Sequence, residues 1–218
     1  GGSQGWVEGT AQGYTDSVAH GVDALEFSAA RTVDGVWFQN HDNNLKSLGG
    51  PDRSTSTMTW SEVVEALKGT GKTPCRLDWL LEHYGDGVIV FDPKGSFARY
   101  DEIHDIFKNR RDRTIMKFFG DNKAFFQQMK LRGYSTWGYA YPSSVGSAWW
   151  NDFVSGAYVD IPSISWDASA DIWKTLTDTG KPVVSHITSI KAQIDAAAAK
   201  GARGSIVSAV STVLSIQV

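Results

Sequence analysis

The sequence predicts an α/β fold of the (β/α)8 TIM-type barrel class, in which parallel strands are surrounded by helices. Short β-rich runs alternate with longer helical patterns from about residue 22 onward. Several helical patterns begin with Ser, Asn or Asp, and Gly133 and Gly180 follow two of them, where C-terminal glycines are expected. Because neighbouring parallel strands need a crossover connection, which is usually a helix, this alternation favours a parallel sheet with outer helices.

The elements follow one another regularly along the chain. The runs that favour strands are 24–29, 36–40, 88–92, 114–119, 136–141, 158–163, 182–187 and 205–209. The segments with helix-compatible apolar spacing are 61–68, 77–83, 96–110, 122–132, 148–155, 168–179 and 189–200. Residues 212–218 alternate enough to be a further strand candidate.

The second strand differs from the others. A turn of only about five residues separates it from the first strand, which is too short for a crossover helix. We therefore expect residues 36–40 to form an accessory strand or hairpin arm at the rim. Seven strands of the barrel type remain, whereas a closed barrel needs about eight.

Length and composition narrow the class of protein. With 218 residues and 41% hydrophobic content, the chain fits one domain over residues 1–218, either alone or within a larger parent protein or assembly. A net charge of −3 and five scattered His argue against nucleic acid as a partner. The single Cys75 excludes an intrachain disulfide, and no apolar run approaches the roughly 20 residues of a transmembrane helix.

Polar residues end the first two strands. Residues 23–28 (Asp-Ala-Leu-Glu-Phe-Ser) place Glu26 at the end of an apolar strand. The next strand belongs to a segment that starts Thr-Val-Asp-Gly and ends at His41 and Asp42. We therefore expect a carboxylate and an imidazole at one rim of the sheet, and the carboxyl ends of barrel strands are where catalytic groups lie.

The order of these motifs resembles the glycerophosphodiester phosphodiesterase family, which shares its barrel with spider-venom sphingomyelinase D. Glu8-Gly9-Thr10 corresponds to the family's Glu-Asn-Thr, and residues 88–94 correspond to its carboxylate-x-Lys strand. The resemblance implies that the first barrel strand, which ends in His-Arg-Gly, is missing from the N-terminus of this chain. It also implies that one of two catalytic His residues lies upstream of Gly1.

The resemblance implies a site for a divalent cation, Mg²⁺ or Ca²⁺, held by Glu26 and Asp92. Hard cations prefer such oxygen ligands. The family carries a further metal-binding Asp where this chain has Ser28, so we expect weak binding. A salt bridge from Glu26 to Lys94 or Lys117 is the alternative, because a carboxylate inside a barrel mouth is costly unless it is paired.

His41 is the candidate for proton transfer, since an imidazole exchanges a proton near neutral pH. A turn or cap role is the ordinary alternative, and Asp42 either fixes the tautomer of His41 or caps the turn. Lys94 carries over from the family motif as a cation that stabilises negative charge on phosphorus oxygens. Lys117 rests on its strand-end position alone, and a structural ion pair is its alternative.

Further candidates for substrate binding come from later strands. His186 falls where the family usually has the Trp of Trp-Thr-Val, and it could offer a hydrogen bond to a substrate hydroxyl. Trp166 follows a strand and could serve as a platform for a sugar or polyol, although core packing is the alternative.

Two functions follow from these residues. The first is hydrolysis of glycerophosphodiesters by metal-assisted His acid/base catalysis, which we expect to be impaired because Ser28 replaces the family's Asp. Its substrates would be deacylated phospholipids or polyglycerolphosphate of the teichoic-acid type. The second is a catalytically degenerate barrel that binds cell-wall polyol-phosphate or glycan, for example as a phage or surface attachment module. A glycosidase carboxylate pair is a weaker third idea. An extracellular, cell-surface or virion-associated setting is slightly favoured over a cytoplasmic one.

Overall fold

The structure, a computed structural model, describes residues 7–95 and 98–214. Its strands are β1 (Ala24–Arg31), β2 (Trp37–Gln39), β3 (Val88–Pro93), β4 (Thr114–Phe119), β5 (Ser135–Tyr139), β6 (Ile161–Ser165), β7 (Val184–Thr188) and β8 (Gly204–Val207). Its α-helices are α1 (Ala11–Ala19), α2 (Trp60–Ala66), α3 (Leu77–His83), α4 (Tyr100–Phe107), α5 (Lys123–Leu131), α6 (Trp150–Ser155), α7 (Ala170–Thr177), α8 (Lys191–Ala199) and α9 (Val210–Val213). Short 3₁₀ segments occur at Lys46–Leu48, Thr55–Thr57, Lys108–Arg113 and Pro142–Ser144.

All eight strands form one sheet in the order β2-β1-β3-β4-β5-β6-β7-β8. Strand β2 runs antiparallel to β1, and every other neighbouring pair is parallel. Consecutive parallel strands joined by right-handed crossovers place their helices on one face of the sheet, which then curls around its other face. The barrel-type fold is confirmed, with seven parallel strands and one accessory hairpin arm in the described part of the chain.

Side chains on each strand alternate between the helices and the barrel interior. On β1, Leu25 and Phe27 belong to the main hydrophobic core, where Phe27 lies beside Phe91 of β3. Glu26 and Ser28 therefore project into the interior. The main core between sheet and helices includes the fully buried Trp173. This alternation separates the packed outer layer from the polar groups of the mouth.

Local sequence explains where several helices begin. The Thr59 side chain accepts a hydrogen bond from the backbone N of Glu62, and Glu62 accepts one from the backbone N of Thr59, which closes a capping box at α2. Asn122 caps α5, and Ser169 caps α7. Helix α1 begins at the Thr10 cap, but sequence analysis missed it because its buried face includes the small residues Gly13 and Ser17.

The structure corrects some predicted bounds. The predicted helix over 96–110 begins at Tyr100 in the described residues and gives way after Phe107 to the 3₁₀ segment. The predicted strand over 158–163 begins only at Ile161. Residues 210–213 form α9, so the proposed extra strand is wrong for the described part of 212–218, and 215–218 lie outside the described residues. In the described part of the chain, no helix is long and apolar enough to span a bilayer.

Candidate active site

Polar residues from three adjacent strands meet at the carboxyl end of the sheet. Ser28 of β1 is in register with Asp92 of β3, and Glu26 lies two residues earlier on β1. Lys94 directly follows the end of β3, and Lys117 lies on β4. The β1–β3–β4 register thus brings together residues that are far apart in sequence, including Glu26 and Lys117, which are 91 positions apart.

Ion pairs connect these groups into one cluster. The Nζ of Lys117 lies 2.6 Å from Oε1 of Glu26 and 3.2 Å from Oδ2 of Asp92. The Nζ of Lys94 lies 2.7 Å from the same Asp92 oxygen. Glu26, Asp92, Lys94 and Lys117 therefore lie together, and the salt bridge considered for Glu26 is formed with Lys117. The two carboxylates and two ammonium groups sum to zero formal charge.

Burial strengthens the pairing. Asp92 is fully buried and the Lys117 side chain is 4% exposed, so their charges interact in a medium of low dielectric constant. Burial opposes charge on Glu26, but Lys117 outweighs it and lowers the pKa of Glu26 to about 2. Burial likewise opposes charge on Lys117, but Glu26 and Asp92 raise its pKa. Both groups are therefore charged at neutral pH.

The donor set has features for and against a divalent cation. Oδ1 of Asp92 is buried without a hydrogen-bond partner among the described residues, which leaves an acceptor facing no donor. Glu26, Asp92 and the Ser28 hydroxyl supply the oxygen chemistry that a hard cation uses. Against this, the Lys117 ammonium competes for the same carboxylates. In residues 7–95 and 98–214, no three His, Cys, Asp or Glu side chains group closely enough to hold a metal ion. Glu26 and Asp92 can therefore hold a cation, but with only two carboxylates.

Tyr139 of β5 contacts both a cation and an imidazole, and sequence analysis missed it. The Nζ of Lys117 lies 4.7 Å from the centre of the Tyr139 ring, and the His186 ring stacks on Tyr139 with 5.0 Å between centres. Burial and the carboxylate of Asp92 raise the pKa of Tyr139 to about 12. The phenol is therefore a proton donor at neutral pH. The alternation of Trp137 and Tyr139 with small residues in β5 was the available signal.

His186 reaches the mouth from β7. A register shift between β7 and β8 falls between Ser185 and Thr188, and such irregularities re-aim side chains beside functional sites. Burial, with the nearby Lys117 ammonium, lowers the pKa of His186 to about 4. Its Nδ1 is buried without a hydrogen-bond partner in the described residues. The ring is neutral at neutral pH and stacks on Tyr139.

His41 lies on the loop after β2. It lines a cavity of about 590 Å³ together with Lys94, Tyr139 and the polar loop residues Asp42, Asn43, Asn44 and Lys46. The His41 side chain is 72% exposed, and its Nδ1 lies 3.1 Å from Oδ1 of Asp42. Of the interactions that lower the pKa of Asp42, this hydrogen bond has the largest effect. The structure thus places His41 beside Lys94 and Asp42, on the solvent side of the ion cluster.

Asn40, a second residue missed by sequence analysis, anchors this loop. Its side chain is buried, and its Nδ2 donates to the backbone oxygens of Asp42 at 2.8 Å and Asn44 at 2.9 Å. Its backbone N donates to the Ser28 oxygen at 2.8 Å. One buried amide therefore ties the His41 loop to β1.

Two predicted site residues lie apart from these contacts. Trp166 is partly buried against the main core, and its backbone oxygen accepts from Nζ of Lys200 at 2.9 Å. Its packing role therefore accounts for the contacts seen. Glu8 is exposed in the turn before α1. Neither residue makes an ion pair or hydrogen bond with the cluster of Glu26, Asp92, Lys94 and Lys117 among the described residues.

Solved structures share this fold. The chain superimposes on a glycerophosphodiester phosphodiesterase from Thermotoga maritima with a TM-score of 0.79 at 19% identity, covering 95% of this chain and 91% of that one. An Oleispira antarctica phosphodiesterase in complex with the product sn-glycerol-3-phosphate gives 0.78 at 15% identity, covering 99% and 92%. A putative glycerophosphoryl diester phosphodiesterase from Silicibacter pomeroyi gives 0.75 at 18% identity, covering 92% and 84%.

The sequence itself places the chain in a family. No protein of curated function matches it. The model of the glycerophosphoryl diester phosphodiesterase family matches residues 1–125, which is more than half of the chain and contains the Glu26, His41 and Asp92 motifs. The chain therefore belongs to the glycerophosphoryl diester phosphodiesterase family.

Proposed function

We propose that the chain hydrolyses glycerophosphodiesters at the mouth formed by β1, β3, β4 and the His41 loop. The observation that carries this proposal is the pair of ammonium groups, Lys94 and Lys117, held by Glu26 and the buried Asp92 next to the cavity that His41 lines. Two fixed cations suit a phosphodiester anion, whose negative charge grows as phosphorus is attacked. An adjacent imidazole supplies proton transfer.

Each residue has a distinct task in this proposal. Lys94 is the more accessible ammonium and binds a non-bridging phosphate oxygen. Lys117 is fixed by Glu26 and holds positive charge at the base of the mouth. His41 acts as general acid or base, toward the leaving alcohol or the attacking hydroxyl, and Asp42 orients its ring through Nδ1.

A divalent cation belongs to the proposal as a weakly held cofactor. The family generally uses divalent cations, and Glu26 and Asp92 are the residues that would hold Mg²⁺ or Ca²⁺ here. When bound, such an ion withdraws electron density from phosphate oxygens. With Ser28 as a neutral third oxygen and Lys117 competing for both carboxylates, we expect affinity well below that of a site with three carboxylates.

A second candidate function is binding without turnover. The neutral cluster of two lysines and two acids retains an anion-binding face even where metal binding is lost, which favours a degenerate barrel that recognises polyol-phosphate or glycan. We propose polyglycerolphosphate of the teichoic-acid type as the polymer for either function, and an extracellular, surface or virion setting within a larger assembly.

The test is release of glycerol 3-phosphate from glycerophosphoglycerol and glycerophosphocholine. We expect His41→Ala to lower kcat by about 10²- to 10⁴-fold, the range for one general acid or base. Lys94→Met should raise KM as well as lower kcat. The control is Leu131→Ser, which changes an 80% exposed side chain on α5. Turnover unaffected by His41→Ala would place the chemistry elsewhere, and binding without turnover would favour the second function.

A further inference from the structure

The mouth has two chemically different walls. The loop after β2 contributes polar residues to the cavity that contains His41 and Lys94, namely Asp42, Asn43, Asn44 and Lys46. A second wall begins at Tyr139, which lines the same cavity, and continues through the ring contacts of Tyr139 with Phe119, Tyr141 and His186. We call these four residues, at or just after the ends of β4, β5 and β7, the aromatic wall. Since a phosphodiester carries two alcohol groups, a phosphate bound at Lys94 directs one alcohol toward each wall.

The rings of the aromatic wall form a continuous cluster. Tyr139 lies 6.0 Å from Tyr141 and 5.3 Å from Phe119, measured between ring centres. Tyr141 lies 6.2 Å from His186. Phe119 continues the cluster to Trp149, at 5.3 Å. Tyr141 is 48% exposed, so this cluster ends in a ring that solvent or a ligand can reach.

A cationic alcohol such as choline is a poor match for the aromatic wall. The Nζ groups of Lys117 and Lys94 lie 4.7 Å and 6.0 Å from the Tyr139 ring centre. The Tyr139 ring therefore already interacts with two cations. Burial, with the nearby Lys117 and Lys94 ammonium groups, lowers the pKa of His186 to about 4, so the neutral imidazole adds no negative charge that would attract a cation. A quaternary ammonium placed here would face two like charges.

A purely aliphatic alcohol also fits poorly. Tyr139 and Tyr141 carry phenolic hydroxyls, and Tyr141 is 48% exposed. A ligand that covers these polar atoms without hydrogen bonds leaves them desolvated, which is unfavourable. The wall therefore suits a neutral group that combines apolar C–H faces with hydroxyls.

We propose that the aromatic wall is a subsite for a sugar ring, so that the favoured substrates are glycerophosphodiesters whose second alcohol is a hexose. The proposal rests on the proposed function, because the phosphate at Lys94 and Lys117 places the two alcohols. The sugar stacks against Tyr141 and hydrogen-bonds at His186, and the glycerol lies on the polar wall of Asn43 and Asn44.

Calorimetric binding of three probes tests the subsite: glycerophosphoglucose linked through O6 of glucose, glycerophosphoglycerol and glycerophosphocholine. We expect the glucose ester to bind about 3- to 10-fold more tightly than the glycerol ester, the equivalent of one aromatic contact. Tyr141→Ser should remove that difference, Tyr141→Phe should keep most of it, and Leu131→Ser should leave it unchanged. Because Tyr141 and Leu131 are exposed, these variants are expected to fold.

The outcomes separate the subsite from the proposed function. Equal binding of the glucose and glycerol esters, or tightest binding of the choline ester, overturns the sugar subsite even if all three are hydrolysed. A preference for glucose that survives Tyr141→Ser also overturns it. Binding of the glucose ester with Tyr141-dependent preference but without hydrolysis supports the subsite and contradicts hydrolysis. Failure of all three probes to bind overturns both.

Discussion

Replacing Lys117 with Met should destabilise the fold strongly at neutral pH. The substitution keeps the volume of the side chain but removes the ammonium from between Glu26 and the fully buried Asp92. Removing one partner of a buried ion pair costs about 3–5 kcal/mol. The lowering of the Glu26 pKa from 4.5 to about 2, to which Lys117 contributes most and Lys94 adds, corresponds to about 3 kcal/mol, which is of the same order.

The loss of stability in Lys117→Met should be larger at neutral pH than at acid pH. Because the pKa of Glu26 is lowered in the folded state, its contribution is present above pH 4.5 and disappears as pH falls toward 2. Scanning calorimetry at pH 7 should therefore show a decrease in Tm of roughly 6–20 °C for Lys117→Met, and a smaller decrease at pH 3.

The matched control is Lys174→Met, which removes an ammonium paired with Asp178 on the exposed face of α7. An exposed pair contributes at most about 1 kcal/mol, so this variant should lose little stability at either pH. If Lys117→Met behaves like Lys174→Met, or if its loss grows at acid pH, the buried pairing does not stabilise the mouth as argued.

Three further predictions concern the same region. Ser28→Asp should raise the affinity for Ca²⁺ and Mg²⁺ by at least about tenfold in calorimetric titrations, because it adds a negative oxygen ligand beside Asp92; submicromolar affinity in the unmodified chain would contradict the weak site. His186→Phe should leave Tm within a few degrees and keep the stack on Tyr139, while weakening glucose-ester binding measured by calorimetry. Asn40→Ala should destabilise the chain by about 1–3 kcal/mol in denaturant unfolding and lower kcat for glycerophosphodiesters, whereas a normal kcat would show that the His41 loop does not need this anchor.

The sequence predicted the elements best where two signals coincided. The bounds of β4 and α3 agree with the structure residue for residue, because apolar spacing and flanking polar residues coincide there. Strand β6 begins three residues later than predicted, since Tyr158 and Val159 are apolar but pack in the core before the strand starts. Helix α1 lacks an apolar stripe and was missed for that reason.

The charged residues of the cluster could be named from the sequence, but their pairing could be predicted only in part. Strand-end position and family motifs gave Glu26, Asp92 and Lys94. The partner of Glu26 was left open between Lys94 and Lys117, because that choice depends on the register of β1, β3 and β4. The aromatic wall depends on the register of β4 through β7, which no local pattern encodes.

Because Asn40 anchors the His41 loop, the backbone of this loop is ordered before a ligand binds. Fixing the backbone of one residue costs about 1–2 kcal/mol in conformational entropy, so a mobile loop of four residues would lose several kilocalories per mole whenever a ligand docked. Here two hydrogen bonds from a buried amide hold the loop backbone before any ligand arrives. Rotation of the exposed imidazole is then the main freedom left to restrict at His41, and association should show a correspondingly small entropic penalty.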